Sequence, residues 1–171
     1  MDSGHLQSKK PRSPLAGTYG HPVHPILITV PIGAWLCSVV FDFVSYGSSE
    51  PGIWSVGAMW LILLGILGAA LAAIFGTIDL LNLPKATPAF NTGRIHAVLN
   101  SAAIVIFLIG FIWRFRTEGS WETSPVGPLV ISIIGLLVVG ASGFLGGRLA
   151  YHYGIRVADE SVQAEGFRAA S

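Results

Sequence analysis

Four long apolar stretches constrain this chain more than any other feature: they lie near Ile26–Tyr46, Ile53–Leu83, Arg94–Phe115 and Gly127–Ala150. Crossing a hydrocarbon core takes roughly 20 helical residues, so each stretch is long enough. The second exceeds what lipid covers and is expected to tilt or to extend past the bilayer. The connections "GSSEPG", "PKATPAFNTG" and "TEGSWETSPVG" are short and rich in residues that end helices. Short connections make consecutive helices antiparallel neighbours. The expectation is an all-α integral membrane protein, an up-down bundle of four transmembrane helices over residues 19–157, with polar tails at 1–18 and 158–171. Alternating ten-residue segments, the mark of a transmembrane β-barrel, do not occur. Charged residues make up 11% of the chain, against about 25% in soluble domains, so lipid is its main solvent.

The distribution of charge sets an expected orientation. Lys9, Lys10, Arg12, Lys85, Arg94, Arg148, Arg156 and Arg168 fall at one end of the bundle, Arg114 and Arg116 at the other. The positive-inside rule then puts both termini on the cytoplasmic side of the inner (plasma) membrane. Trp54, Trp113 and Trp121 gather at the opposite end, as an interfacial aromatic belt does. The basic residues before the first span resemble a signal peptide, but that span is too long and no small-residue cleavage site follows it. The basic residues of the tails suit anionic lipid headgroups, not nucleic acid.

Topology gathers polar residues that are far apart in the chain. The first helix starts, the second ends, the third starts and the fourth ends at the same pole. That pole receives His21, His24, Asp79, Arg94, His96, Asn100, Arg148, Tyr151 and His152, while His5 stays in the tail. In "HPVHP", Pro25 suits the start of a helix, and each proline biases the histidine before it toward an extended backbone. Pro31 lacks an N–H and is expected to kink the first helix and free the Leu27 carbonyl. Gly68, Ala72 and Gly76 permit close helix approach, with Asp79 turned toward protein; Gly143 and Gly147 form a second small-residue pair. Asp79 and Arg94 are expected to pair across the loop between the second and third helices. His96 and Asn100, four apart, share a face. Asp42 sits about 27 Å from His24 at helical rise, with Arg114 and Arg116 as its candidate partners.

Together, "HPVHPILITVPIGAW", "GTIDLLNLP", the His96–Asn100 pair and "GGRLAYHYGIRV" resemble the bacterial membrane proteins grouped as domain of unknown function 2231, over Tyr19 to Val157. The resemblance implies four transmembrane helices and no settled activity. It maps His24 and His96 onto motif positions and leaves the place of His152 variable. Some relatives are joined to Rieske iron–sulfur or c-type cytochrome modules, which implies a redox setting. This sequence has one cysteine, Cys37, and no C-x-x-C-H, so a redox partner would be a separate chain.

Three readings of the polar rim compete. In the first, His24 and His96 are axial ligands of a b-type haem between diagonal helices, with Asn100 beside them and Arg94 and Arg148 toward the propionates. In the second, His21, His24, His96 and Asp79 hold a transition metal such as Zn²⁺, Fe²⁺ or Cu²⁺, or relay protons or sense cytoplasmic pH, in a small transporter or pH sensor that a homo-oligomer would turn into a pore. In the third, the protein is a cofactor-free membrane anchor or scaffold subunit. No G-x-S-x-G, Walker loop or H-E-x-x-H occurs, so no residue is assigned a catalytic role.

Overall fold

The computed structural model describes residues 3–117 and 123–167. Trp121 and Arg168, used above for the belt and the charge bias, lie outside the described residues. A short helix α1 (Ser3–Lys9) leads through a 3-10 turn (Pro14–Ala16) into a two-stranded ribbon, β1 (Gly17–Thr18) and β2 (His21–Pro22). Gly17 has φ of +97° and a Cβ there would strike the His21 carbonyl, so the tight ribbon requires glycine at that point.

The bundle follows: α2 (His24–Leu27) and α3 (Thr29–Ser45), then α4 (Pro51–Leu80), α5 (Pro88–Thr117) and α6 (Val126–Gly147). A π turn (Arg148–His152) extends α6, and a short α7 (Glu160–Gln163) lies beyond it. Among the described residues, four segments are long and apolar enough to cross a membrane: His24–Ser45, Pro51–Leu80, Pro88–Thr117 and Val126–His152. Sequential helices pack side by side and α6 returns against α3, which closes the up-down bundle.

Two boundaries differ from expectation for physical reasons. Helix α5 begins at Pro88, ahead of the apolar run, because the Thr87 hydroxyl caps it by accepting the Phe90 N–H at 3.1 Å. Its first turns are polar and escape an apolarity count. The interruption between α2 and α3 falls at Ile28, within a turn of Pro31, whose missing N–H leaves the Leu27 carbonyl without its helical donor.

The polar N-terminal residues dock on the end of α4, where the last carbonyls of a helix lack intrahelical donors. Arg12 donates to the Leu81 carbonyl at 3.0 Å. Gln7 and Asn82 exchange side-chain-to-backbone bonds of 2.9 Å in both directions. Asp79 does not pair with Arg94. Its Oδ1 lies 3.1 Å from Nε of Arg156, whose guanidinium also donates to the Ala16 carbonyl at 2.7 Å.

The core is an aromatic stack on the bundle axis. Trp35 of α3 and Phe107 of α5 lie 4.1 Å apart with planes 8° from parallel. Ile62 and Ala103 pack around them, and the Trp35 indole N–H donates to the Ile62 carbonyl at 3.2 Å, as a buried indole requires. Each ring sits on a glycine of the neighbouring helix, Trp35 on Gly65 and Phe107 on Gly135. A Cβ at Gly135 would lie 2.6 Å from Cε2 of Phe107, whereas Gly143 faces open space and Gly147 meets only the Tyr151 ring. The Gly143/Gly147 pair is therefore not a close-packing seam within the chain. Gly135→Val is expected to destabilise the protein by about 1–3 kcal/mol through overpacking, read as a lower unfolding midpoint in detergent. Gly143→Val should stay within about 0.5 kcal/mol of wild type.

Candidate histidine-pair site and the buried ion pair

His24 is the first residue of α2, not an extended cap. The Val23 carbonyl takes the N–H groups of Ile26 and Leu27, and the His24 carbonyl takes that of Ile28 at 3.1 Å; these bonds outweigh the extended bias that a following proline imposes. The turn lays the His24 ring on α4. Its Nδ1 lies 2.9 Å from the Ala72 carbonyl. A carbonyl only accepts, so Nδ1 carries a proton, and in the neutral ring Nε2 keeps a lone pair.

His96 repeats this arrangement between α5 and α6. Its Nδ1 donates to the Ser142 carbonyl at 2.8 Å, with the Ser142 hydroxyl at 3.0 Å. That hydroxyl in turn donates to the His96 carbonyl at 3.2 Å. The rings meet edge to face with centroids 6.3 Å apart. Each rests on a glycine: a Cβ at Gly76 would lie 2.9 Å from Cε1 of His24, and one at Gly146 would lie 3.1 Å from Cε1 of His96. The two histidines differ in one respect. The Asn100 amide donates to His96 Nε2 at 3.0 Å, and no such donor meets His24 Nε2 among the described residues.

The structure brings together His24, His96 and Asn100 and leaves the other candidates outside. Arg94 is exposed. It lies two residues from His96, about 200° around the helix, so turning His96 inward turns Arg94 out. Arg148 is exposed and rests over the Tyr153 ring at 5.5 Å. His152 is exposed against the same ring. His21 is exposed on β2, with the Tyr19 carbonyl 3.5 Å from its Nδ1. Asp79 turns to Arg156. The four-residue set His21, His24, His96 and Asp79 therefore does not converge, and no three His, Cys, Asp or Glu side chains form a metal-holding group among the described residues.

A second polar centre lies at the other pole. Asp42 is fully buried and Arg114 is 1% exposed. They form a two-pronged ion pair, Nη1 to Oδ1 at 2.8 Å and Nη2 to Oδ2 at 2.6 Å. The Ser124 hydroxyl reaches Oδ1 at 2.6 Å and the Ser55 hydroxyl at 3.2 Å. The Ser45 hydroxyl accepts the Ser124 N–H at 3.0 Å. Of the two arginines considered for Asp42, Arg114 is the partner and Arg116 is exposed. Sequence reasoning did not anticipate this serine shell, nor Ser142, Gly146 and Arg156. Serines inside apolar runs were the available signal, since a hydroxyl in lipid needs an acceptor.

Asp42→Ala strands a buried guanidinium and is expected to cost about 3–5 kcal/mol, seen as poor accumulation or a sharply lowered unfolding midpoint. Arg116→Ala, on the exposed neighbour, should leave the midpoint near wild type.

A family model described as "Predicted membrane protein (DUF2231)" matches residues 20–159. No curated protein and no solved structure matches the chain.

Proposed function

We propose, from the premise that the chain belongs to the DUF2231 family of predicted membrane proteins, that it is a membrane subunit whose His24 and His96 ligate one redox-active transition metal. The observation that carries the reading is the shared anchoring of the two rings. Each spends its Nδ1–H on a backbone carbonyl of a neighbouring helix, which fixes the ring and reserves Nε2 for a ligand, as second-shell bonds do at metal-binding histidines. With bonds of about 2.1 Å, two imidazoles on one metal place ring centroids between about 5.3 Å at a tetrahedral angle and about 6.5 Å on opposite sides of it; the observed separation, 6.3 Å, falls within that range, near its upper end.

His24 and His96 would be the protein ligands, and Asn100 would give up Nε2 of His96 on loading. A bound metal of this kind supplies one-electron transfer. A bare ion demands the movement of Asn100. The iron of a b-type haem demands in addition that the macrocycle enter beside rings already seated on Gly76 and Gly146. With two protein ligands a bare ion keeps open positions, and a separate redox chain is its natural partner.

Lys9, Lys10, Arg12, Lys85, Arg94, Arg148 and Arg156 lie toward the histidine pole and Arg114 and Arg116 toward the other. That bias supports an inner-membrane protein with both termini and the histidine pair on the cytoplasmic side. One observation favours a second reading, a cofactor-free anchor subunit: the Asn100 amide already satisfies His96.

The test is a visible spectrum, oxidised and dithionite-reduced, together with elemental analysis of detergent-purified protein from cells supplied with iron, copper and haem precursor. About one metal per chain, lost in both His24→Ala and His96→Ala, is the expected result. A Soret band lost in the same variants would identify the metal as haem iron. A metal-free, featureless sample would leave the anchor reading.

A further inference from the structure

The residues on the bundle axis meet in pairs, and 72 positions separate the members of each pair: His24 and His96, Trp35 and Phe107, Asp42 and Arg114. The same interval relates corresponding contacts away from the axis. Phe41 lies over Gly57 as Trp113 lies over Gly127. The Ser45 hydroxyl donates to the Asp42 carbonyl at 2.7 Å as that of Thr117 donates to the Arg114 carbonyl at 3.2 Å. On the partner helices the interval is 70. It relates Gly57 to Gly127, Gly65 to Gly135, the carbonyl residues Ala72 and Ser142, and Gly76 to Gly146. The chain runs 12 positions from Ser45 to Gly57 and 10 from Thr117 to Gly127, which accounts for the difference.

Helices α3 and α5 run the same way through the bundle, and α4 and α6 run the other way. The operation that carries one half onto the other is therefore a rotation about the bundle axis, a parallel repeat and not an inverted one. Residues on such an axis meet their own equivalents, as in an isologous dimer. We propose that the bundle is an intramolecular pseudo-dimer, in which the hairpin of residues 24–80 packs about a two-fold axis against a second copy of itself, residues 88–152, with Asp42 and Arg114 selecting the unlike partner. Pairing like with like would bury Asp42 against Asp42, or Arg114 against Arg114. Either arrangement puts two equal charges in a membrane interior, which is a specificity device by exclusion.

Asn100 stands outside the symmetry. Its equivalent position is Ile28, an apolar residue at the break between α2 and α3. The fold makes the two imidazoles alike, and Asn100 distinguishes them.

The equivalence of the halves predicts the behaviour of exchanges in the full-length protein. Trp35→Phe thins the stack and Phe107→Trp overfills its seat, so each single variant should melt about 5 °C or more below wild type. In W35F/F107W the larger ring lies over Gly135, its indole N–H facing the Ser132 carbonyl as Trp35 faces that of Ile62. The exchange should recover most of both losses. Likewise D42R and R114D singly should fail to accumulate as monomer on size exclusion, and D42R/R114D should restore the monomer. A ring exchange no more stable than the worse single variant would overturn the equivalence of the halves. A stable monomer from D42R alone would overturn the selecting role of the ion pair.

Discussion

The bidentate bond between Asp42 and Arg114 ties the first and third membrane helices together at a depth where neither charge reaches water. The desolvation of such a pair is expensive, and strong geometry with added hydrogen bonds is what offsets it. Here both prongs are short, and Ser124 supplies a further donor at 2.6 Å. Because Ser124 belongs to the connection before α6 and Ser55 to the start of α4, the network reaches into all four helices or their flanks. Lipid offers no hydrophobic incentive for helices to associate. A bond that leaves a bare charge when broken is therefore the strongest device available for holding diagonal helices in register.

From that register the remaining contacts follow along the axis. Trp35 and Phe107 come face to face because each has a glycine behind it, and His24 and His96 approach for the same reason. The rings are large and the residues beneath them have no side chain, so the helices approach closely while the axis stays filled. At the histidine pole the same geometry yields two imidazoles with fixed tautomers. The docked N-terminal segment and the Asp79–Arg156 pair then cover the ends of α4 and α6.

Much of this was legible in the sequence. Length and apolarity placed the four spans, Pro31 marked the break in the first, and topology brought His24 near His96. The partnership of Asp42 with an arginine at the far pole was legible too, since an isolated carboxylate in lipid demands a partner. Three things were not. Arg94 was chosen for Asp79 by proximity in the chain, whereas helix rotation decides the matter and Arg156 arrives from beyond the fourth span. Gly143 and Gly147 fit a familiar spacing, but the glycine under His96 is Gly146, and only the direction of the ring reveals that. The repeat escaped because its halves share few identical residues: Trp answers Phe, Asp answers Arg, Ala answers Ser. What is kept is size and position, seen once the contacts are laid side by side.

The aromatic stack divides the bundle into two compartments. Trp35 and Phe107, with Ile62 and Ala103 around them, leave at most 3% of any of these residues accessible. These side chains fill the bundle axis at that level. The stack thus stands between the histidine pair at one pole and the Asp42–Arg114 pair at the other. Any chemistry at the histidine pair would therefore answer to one pole of the bundle and not to both.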